Sequence, residues 1–359
     1  MTIRIATSNR ASGLALIAGT AVLGLTLAAA PASAEEINAL VWCDHTDPEL
    51  LEPFTEATGI EVNVKDYEGT GTALTLIDQS RAGDWDVFVV DSTDVRRVTE
   101  RGLLAPIDAG LIDMSAIPDA VKAEDLHVID GKWYAFPEKF GYNAIAFNRD
   151  KVSEADMRKA ASMWDPKFKD QVAVYDYYLA IISQIAVGLG IDTATFSEAD
   201  IPAVREKLFE MKKNAKLVSD VVTSQTALAT GEVDVLIGGG EYAVASLMAE
   251  QPELDWVLPD EGGIRWQQAI GVFADSEKKD AAQKFVAYIL SPEGQARLAT
   301  SSCYWGMPAN MSAALTDAQK TTLRWDEQPA FIEGSQRYIS PSEELDVKLQ
   351  DLWTEFLQQ

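Results

Sequence analysis

Residues 37–45 read Ile-Asn-Ala-Leu-Val-Trp-Cys-Asp-His, an apolar run that ends in aromatic and polar side chains. A short continuous apolar run of this kind is typical of a buried strand. Asp47-Pro48 is a helix start signal and Gly59 is a stop signal. In residues 60–64 apolar and polar side chains alternate, which predicts a second strand. This order of strand, helix and strand predicts parallel strands with helical crossovers, and therefore an α/β fold.

The alternation of strands and helices continues in two blocks. The first block adds a buried strand over residues 86–91 and a helix over 93–101, and the second places strands at 172–174 and 231–237 around an apolar helix at 179–189. The sequence contains no internal repeat and no low-complexity linker between the blocks. We therefore expect two lobes that are joined by strands rather than by a flexible tether.

The strands predicted near residues 142–148 and 269–273 are candidates for the connections between the lobes. On this basis we expect lobe 1 to comprise residues 35–143 plus 267–312. Lobe 2 is then expected to comprise residues 144–266 plus 313–359. A chain of this length exceeds one ordinary hydrophobic core, which agrees with two domains.

The first 34 residues have the order of features found in a secretory signal peptide. Arg4 and Arg10 precede an apolar run over residues 14–30, and Ala32-Ser33-Ala34 supplies small residues for cleavage. A membrane anchor is the alternative, but glycine and threonine residues interrupt the run and leave it short for a span. We predict a signal peptide at residues 1–34, cleavage after Ala34, and a mature protein in the periplasm.

The composition limits the classes of partner and chemistry. The chain has 56 acidic and 30 basic residues and a formal net charge of −26 at pH 7. This charge argues against nucleic acid or anionic lipid as a partner and favours cationic ligands, although solubility is the alternative explanation. With two histidines and no H-E-x-x-H, G-x-S-x-G, P-loop or G-x-G-x-x-G motif, the sequence predicts no enzyme, no metal site and no cofactor.

Polar and aromatic residues cluster where the predicted strands end. Ligands of open parallel sheets bind outside the carboxyl ends of the strands, and aromatic rings with carboxylates suit an ammonium group. Core packing is the alternative for each tryptophan, and a helix cap is the alternative for Asp91. The candidate ligand-binding residues are Trp42, Cys43, Asp44, His45, Asp91, Ser92, Thr93, Tyr177, Gly239, Glu241, Tyr242, Trp266, Gln268 and Trp305.

The two cysteines, Cys43 and Cys303, would lie in a compartment where disulfides persist. They form one disulfide if the fold brings them within bonding distance, and they are free thiols if it does not. The sequence leaves both possibilities open.

Five stretches of the chain, taken in order, resemble the periplasmic spermidine/putrescine-binding proteins. They are residues 50–60, 85–87 with 101–102, 164–169, 231–233 and 261–266. The resemblance implies a two-lobed periplasmic-binding-protein fold of type II, with parallel-rich mixed sheets flanked by helices and lobes joined by crossover strands. It also implies closure around a small-molecule ligand, an amine or amino compound, and its delivery to an inner-membrane ABC permease with its ATPase. We expect a monomer.

The resemblance carries over to only part of the pocket. Trp42 and Trp266 match stacking tryptophans of the family, and Asp44 stands at an acidic pocket position. The departures are Cys43 for a threonine, His45 for a tyrosine, Asp91 for a serine, Thr93 for a tyrosine, Gly239 for a tryptophan and Gln268 for an amine-binding aspartate. The resemblance as a whole implies a polyamine-like or short amino compound. The lost carboxylate and aromatic walls argue against a long polyamine and favour a shorter amine, an amino acid such as an ω-amino acid, or another small polar solute. A sensing receptor and an enzyme on the same fold are the remaining alternatives.

Overall fold

The structure is a computed structural model that describes residues 35–358, and the predicted signal peptide lies outside these residues. Its strands are β1 (Glu35–Val41), β2 (Ile60–Asp66), β3 (Val87–Asp91), β4 (Leu104–Ala105), β5 (Val128–Ile129), β6 (Lys132–Trp133), β7 (Ala135–Asn143), β8 (Ile145–Asn148), β9 (Val172–Tyr175), β10 (Ala215–Ser219), β11 (Val235–Ile237), β12 (Leu254–Val257), β13 (Gly263–Phe273), β14 (Met307–Pro308) and β15 (Ser335–Gln336).

The α-helices of the described residues are α1 (Pro48–Thr58), α2 (Thr70–Gln79), α3 (Val95–Glu100), α4 (Asp119–Lys122), α5 (Glu124–His127), α6 (Glu154–Met157), α7 (Tyr178–Gly188), α8 (Ile201–Lys212), α9 (Val221–Ala229), α10 (Glu241–Val244), α11 (Lys279–Ile289), α12 (Pro292–Ala299), α13 (Asp317–Thr322), α14 (Gln328–Gly334) and α15 (Glu343–Gln358). Within residues 35–358, no helix is both long enough and apolar enough to cross a membrane.

The first sheet has the strand order β14-β7-β13-β3-β1-β2, and β4 and β15 also pair with β13. Strand β1 runs parallel to β2 and β3, as the opening stretch of sequence predicts. Strand β13 returns antiparallel to both β3 and β7. Helices α1 and α11 cover one face, where Phe54 packs against Phe285 with ring centroids 5.1 Å apart. The sheet is therefore mixed, with a parallel part that carries the predicted site.

The second sheet has the strand order β10-β9-β11-β8-β12. Strand β9 is parallel to β10 and β11, whereas β8 is antiparallel to β11 and β12. Helix α7 is apolar on nearly all sides and packs in the core of this sheet with α8 and α15. The two mixed sheets flanked by helices confirm the predicted fold class.

Strands β7 and β13 connect the two sheets. Strand β7 belongs to the first sheet and is separated from β8 of the second sheet by Ala144 alone, and β13 pairs with β7 from Ile264 beside Asn143 to Gly271 beside Ala135. Both strands are longer than the apolar pattern predicts, because buried polar residues interrupt that pattern. These residues are Glu138, Lys139, Arg265, Gln267 and Gln268. The division into two lobes at the predicted boundaries stays a prediction.

Helix α1 fixes the turn that follows β1. The Asp47 side chain accepts a hydrogen bond from the Glu49 backbone N–H at 3.0 Å, Pro48 occupies the first helical position, and Gly59 ends the helix at φ 72°. Aspartate as a cap, proline at the first position and a left-handed glycine at the end are the expected signals for a helix of this kind. Residues 43–46 between β1 and α1 form a short 3-10 helix.

Candidate functional site

The candidate site begins at a row of residues across three neighbouring strands. Gln268 on β13 lies opposite Lys139 on β7 and opposite Asp91 at the end of β3. The pairing of β13 with β7 shifts register between Gln268 and Ala269. Such irregularities bend a strand and re-aim its side chains, and they are common beside functional sites. The row places an acidic, a neutral and a basic residue side by side on three interior strands, level with the end of β3.

On one side of this row, four ionisable side chains form a cluster that excludes solvent. Asp44, His45, Glu138 and Lys139 each have 0% exposure, and we call them the buried ion cluster. His45 Nδ1 lies 2.9 Å from Asp44 Oδ1, and His45 Nε2 lies 3.1 Å from Glu138 Oε2. Lys139 Nζ donates to Asp44 Oδ2 at 2.9 Å. The histidine thus bridges two carboxylates, and the lysine holds the free oxygen of one of them.

The geometry requires a charged histidine. Ionised carboxylates only accept hydrogen bonds, so an imidazole that contacts two of them must carry a proton on each nitrogen. Burial lowers the pKa of His45, but Glu138 and Asp44 outweigh burial and raise the pKa to about 10. Burial raises the pKa of Asp44, but Lys139 and His45 more than reverse this and hold it well below its usual range. Burial raises the pKa of Glu138 and lowers the pKa of Lys139, and both shifts oppose the charged forms. When all four groups are charged, the two cations and two carboxylates leave the cluster without net charge.

The Lys139 ammonium meets three groups that each attract a cation. Besides the Asp44 carboxylate, Nζ donates to the Tyr304 backbone carbonyl at 2.9 Å and lies 4.1 Å from the centroid of the Tyr304 ring. A disulfide joins Cys43, next to Asp44, to Cys303, next to Tyr304, with the two Cα atoms 6.0 Å apart. The structure therefore contains the disulfide that the sequence left open, and this bond links the two segments that hold Lys139.

The other side of the row borders a small cavity of about 10 Å³, which is room for about one water molecule. Its lining residues are Asp91, Ser92, Thr93, Leu126, Arg265, Trp266, Gln267, Arg337 and Tyr338. The Asp91 carboxylate accepts hydrogen bonds from the Thr93 backbone N–H at 2.9 Å and the Thr93 hydroxyl at 2.7 Å. Burial raises the pKa of Asp91 more than these bonds lower it. Among residues 35–358, Asp91 has no salt-bridge partner.

Aromatic rings surround this cavity. Tyr338 packs edge-on against Tyr177 at 5.9 Å, and Trp266 packs edge-on against Tyr242 at 6.2 Å and against Tyr304 at 6.1 Å. Burial raises the pKa of Tyr177 and of Tyr338, and the nearby Asp91 charge adds to both shifts. The tyrosine rings and the Asp91 carboxylate are suited to an ammonium ion, whereas Arg265 and Arg337, which line the same cavity, are suited to an anionic group.

Comparison with known proteins decides the class of the molecule. The chain matches the family profile described as bacterial extracellular solute-binding protein over residues 49–331. The chain belongs to this family. It is 28% identical over 296 residues to the spermidine/putrescine-binding periplasmic protein of Escherichia coli K12, which covers 80% of this chain and 82% of that relative. The predicted class, a solute-binding protein, is confirmed.

The proteins similar to this solute-binding protein are named for more than one solute. The iron uptake protein A1 of Synechocystis is 23% identical over 309 residues, which covers 80% of this chain and 81% of that protein. The crystal structure of the spermidine/putrescine ABC transporter substrate-binding protein PotD from Streptococcus pneumoniae superimposes with a TM-score of 0.77 at 19% identity, over 90% of this chain and 99% of that chain. The fold is that of the type II periplasmic binding proteins, and the family alone does not name the solute.

The structure brings part of the predicted site together. Asp91, Ser92, Thr93 and Trp266 line the cavity, and Tyr177 and Tyr242 reach it through their ring contacts with Tyr338 and Trp266. The Gln268 amide donates to the Tyr304 hydroxyl. Ligand binding by these residues stays a prediction. In the described part of the chain, no group of three or more histidine, cysteine or acidic residues has an arrangement that could hold a metal ion.

Other predicted residues already have partners within the protein. Asp44 and His45 belong to the buried ion cluster, and Trp42 donates through Nε1 to the Tyr67 hydroxyl at 3.0 Å. Gly239 lies where an added Cβ would meet Leu236 Cγ at 2.7 Å, so packing closes this position. Their predicted contact with a solute stays a prediction.

Glu241 and Trp305 also lie apart from the cavity lining. Glu241 is fully buried and accepts from the Tyr142 backbone N–H at 3.2 Å, and burial raises its pKa to about 8. Its carboxyl group is therefore mostly protonated at pH 7. Trp305 is half-buried and packs against a hydrophobic core.

The sequence reasoning missed several residues of the site. Glu138 and Lys139 lie in a strand that is otherwise apolar and buried, and charged residues are almost never fully buried unless they are paired. Two adjacent charges inside such a strand are the signal that could have identified them. Arg265, Arg337 and Tyr338 reach the cavity from distant segments, and no local pattern indicates this.

Proposed function

We propose that this solute-binding protein is the periplasmic receptor of an ABC importer and that it holds an amine-containing solute at Asp91, between two lobes built on the two sheets. One observation carries the proposal: the Asp91 carboxylate lines a cavity with Trp266 and Tyr338 and forms no salt bridge among the described residues, although Arg265 and Arg337 line the same cavity. A partly buried carboxylate loses hydration, and an ammonium group would restore the lost interaction through a charge-assisted hydrogen bond.

The wider composition supports a cationic group on the solute. The chain carries a formal net charge of −26, and a field of this sign raises the local concentration of cations near the protein. The aromatic faces of Trp266, Tyr177 and Tyr338 add attraction for an ammonium ion, which is strongest on tryptophan. The polyamine-binding relative agrees with an amine as the solute.

We propose that the solute acts by shifting an equilibrium between open and closed arrangements of the lobes. The cavity leaves room for about one water molecule, so a solute must enter while the lobes are apart. A solute that contacts both lobes binds the closed arrangement better than the open one and increases its population. Export through the signal peptide at residues 1–34 and delivery to a permease with its ATPase belong to the same proposal.

The test is a thermal-shift screen of the purified mature protein against amines, amino acids and polyols. A ligand that binds only the folded state raises the melting temperature. We expect amines or amino compounds to raise it and polyols to leave it unchanged. Each amine is then recovered and checked by NMR, because a receptor returns its solute chemically unchanged. A polyol as the strongest ligand, or turnover of the bound compound, contradicts the proposal.

A further inference from the structure

The buried ion cluster contains a complete ammonium-binding site that the chain fills itself. Lys139 Nζ has a carboxylate oxygen of Asp44 at 2.9 Å, the Tyr304 carbonyl oxygen at 2.9 Å and the Tyr304 ring centroid at 4.1 Å. A carboxylate, a carbonyl and an aromatic face are the groups that bind an alkylammonium ion in proteins. The end of the lysine side chain is itself a primary alkylammonium.

This filled site is adjacent to the proposed solute site. Tyr304, which contacts the Lys139 ammonium through its ring and carbonyl, packs against Trp266, which lines the cavity of Asp91. Gln268 lies between Lys139 and Asp91 in the row across the sheet. The two carboxylates, Asp44 and Asp91, therefore form two neighbouring positions for cations at one sheet edge, and the chain supplies the cation for one of them.

Among the described residues at this site, a second ammonium on a solute finds no carboxylate that lacks a cationic partner, because Glu138 contacts His45 through Oε2, although its Oε1 has no hydrogen-bond partner. Asp44 is shared between Lys139 and His45, and Gln268 offers only a neutral amide. Asp91 is the only acidic residue that lines the cavity in the described part of the chain. Arg265 and Arg337 line the same cavity, and the buried Nε of Arg265 has no hydrogen-bond partner among the described residues. Two guanidinium groups repel a second ammonium, attract an anionic end and do not repel a neutral end.

We propose that Lys139 determines specificity by taking the place of a solute amine, so that the solute carries one ammonium group and a neutral or anionic far end. This inference rests on the proposed function, since it assumes that Asp91 binds the one remaining ammonium. It selects single-ammonium compounds and short amino carboxylates over diamines as the substrate class of this receptor.

The first experiment compares three four-carbon probes by isothermal titration calorimetry on the mature wild-type protein. The probes are 4-aminobutanoate, 1-aminobutane and 1,4-diaminobutane, which share one ammonium and differ only at the far end. We expect the diamine to bind at least about tenfold more weakly than the better of the two single-ammonium probes, the factor expected from one unpaired charge. A diamine that binds as tightly as both other probes, or more tightly, overturns the inference.

The second experiment removes the internal ammonium. Lys139→Ala removes one of the two cations that contact Asp44, leaves His45 as the other, and opens space beside Tyr304. The Asp44 oxygen that faced the lysine then lacks a partner, and we expect the affinity for 1,4-diaminobutane to rise at least about tenfold. The Asp44→Asn/Lys139→Ala variant opens the same space without the free carboxylate, and we expect no such gain. Circular dichroism and thermal melting establish that each variant is folded. An equal gain in both variants, or a gain in neither, overturns the inference.

These outcomes separate the inference from the proposed function. If the diamine is the tightest ligand of the wild-type protein, Lys139 does not determine specificity, and the receptor still binds amines at Asp91. If no amine binds the wild-type protein, the proposed function fails, and a gain of diamine binding in Lys139→Ala alone still identifies an ammonium site that the lysine occupies. If Lys139→Ala does not fold, the ratio of affinities in the wild-type protein decides.

Discussion

Asp44 and Asp91 follow two neighbouring parallel strands of the first sheet, yet their surroundings differ. Asp44 is fully buried and contacts the Lys139 ammonium and the His45 ring. Asp91 is partly exposed, borders a cavity and, within residues 35–358, accepts hydrogen bonds from Thr93 alone. The end of a strand provides a place for a carboxylate. At Asp44 the chain supplies the cation from a residue far away in the sequence, and at Asp91 we propose that a solute supplies it.

The comparison predicts that the residues around Asp44 contribute to stability and that those around Asp91 contribute to solute binding. We expect Lys139→Met to lower the free energy of unfolding by about 3 to 5 kcal/mol, because it leaves two buried carboxylates, Asp44 and Glu138, with His45 as their one remaining cation. Asp44→Asn/Lys139→Met removes both charges at similar volume and is expected to recover most of this loss. Urea unfolding measures both variants. If the single variant is as stable as the wild-type protein, the pairing of Asp44 with Lys139 has no structural importance.

The fold was more predictable than the site, and the reason lies in how far apart the interacting residues are. The β1–α1–β2 unit follows from apolar runs, from Asp47-Pro48 and from Gly59, all of which act within a few residues. Asp44 and Lys139 are 95 positions apart, so no local pattern shows that they are paired. The ends of β7 and β13 were misjudged because Lys139 and Gln268 are buried polar residues, which an apolar pattern treats as exposed.

The disulfide is a second feature that stabilises the region of Asp44, because it links the segments around Asp44 and Tyr304. It closes a loop with a sequence separation of 260 residues. We expect Cys43→Ala/Cys303→Ala to lower the free energy of unfolding by about 3 kcal/mol, mainly because the unfolded chain gains freedom. Thermal and urea unfolding of oxidised wild-type protein and the variant measure this. Titration of free thiols in the unfolded wild-type protein is the control, and two reactive thiols would contradict the bond.

At Asp91 we expect a substitution to weaken solute binding and to leave the stability of the protein almost unchanged. Asp91→Asn is expected to weaken the binding of a single-ammonium solute by about 2 kcal/mol, or roughly thirtyfold, because a charge-assisted hydrogen bond is lost. Its stability should stay within about 0.5 kcal/mol of the wild-type protein, since no internal cation depends on it. Asp94→Asn, three residues further on, is the matched control and should bind normally. Equal losses in both variants would mean that only the general field of the protein acts on the solute.

Trp266 lies between the two regions, since it lines the cavity of Asp91 and contacts the ring of Tyr304 beside Lys139. We expect Trp266→Ala to weaken solute binding by more than about 1 kcal/mol, as for a buried aromatic anchor. Calorimetry with the solute found in the thermal-shift screen measures the loss. Trp305→Ala is a suitable control, because Trp305 packs against a core rather than the cavity. An unchanged dissociation constant for Trp266→Ala would remove this residue from the solute site.

The two histidines report separately on the two regions. His45 bridges Asp44 and Glu138, whereas His127 lies beside the strand end at Asp91, with Nε2 3.0 Å from the Ser92 hydroxyl. The carboxylates raise the pKa of His45 to about 10, and burial lowers the pKa of His127 to about 4, from a usual value of 6.5 in both cases. His45 is therefore charged and His127 neutral in the folded protein at pH 7.

This difference predicts opposite dependences of stability on pH. Protonated His45 stabilises the folded protein, because its pKa is higher in the folded than in the unfolded state. This stabilisation is fully present below pH 6.5 and is lost between pH 6.5 and 10. In that range we expect the free energy of unfolding to fall by about 1 kcal/mol per pH unit. A lowered pKa acts on the acid side, so His127 should reduce stability as the pH falls from 6.5 towards 4. Urea unfolding at each pH, with His45→Gln and His127→Gln, separates the two. We expect His45→Gln to flatten the alkaline slope and His127→Gln to flatten only the acid slope. Identical profiles for the two variants would show that the buried ion cluster around Asp44 does not differ electrostatically from the region beside Asp91.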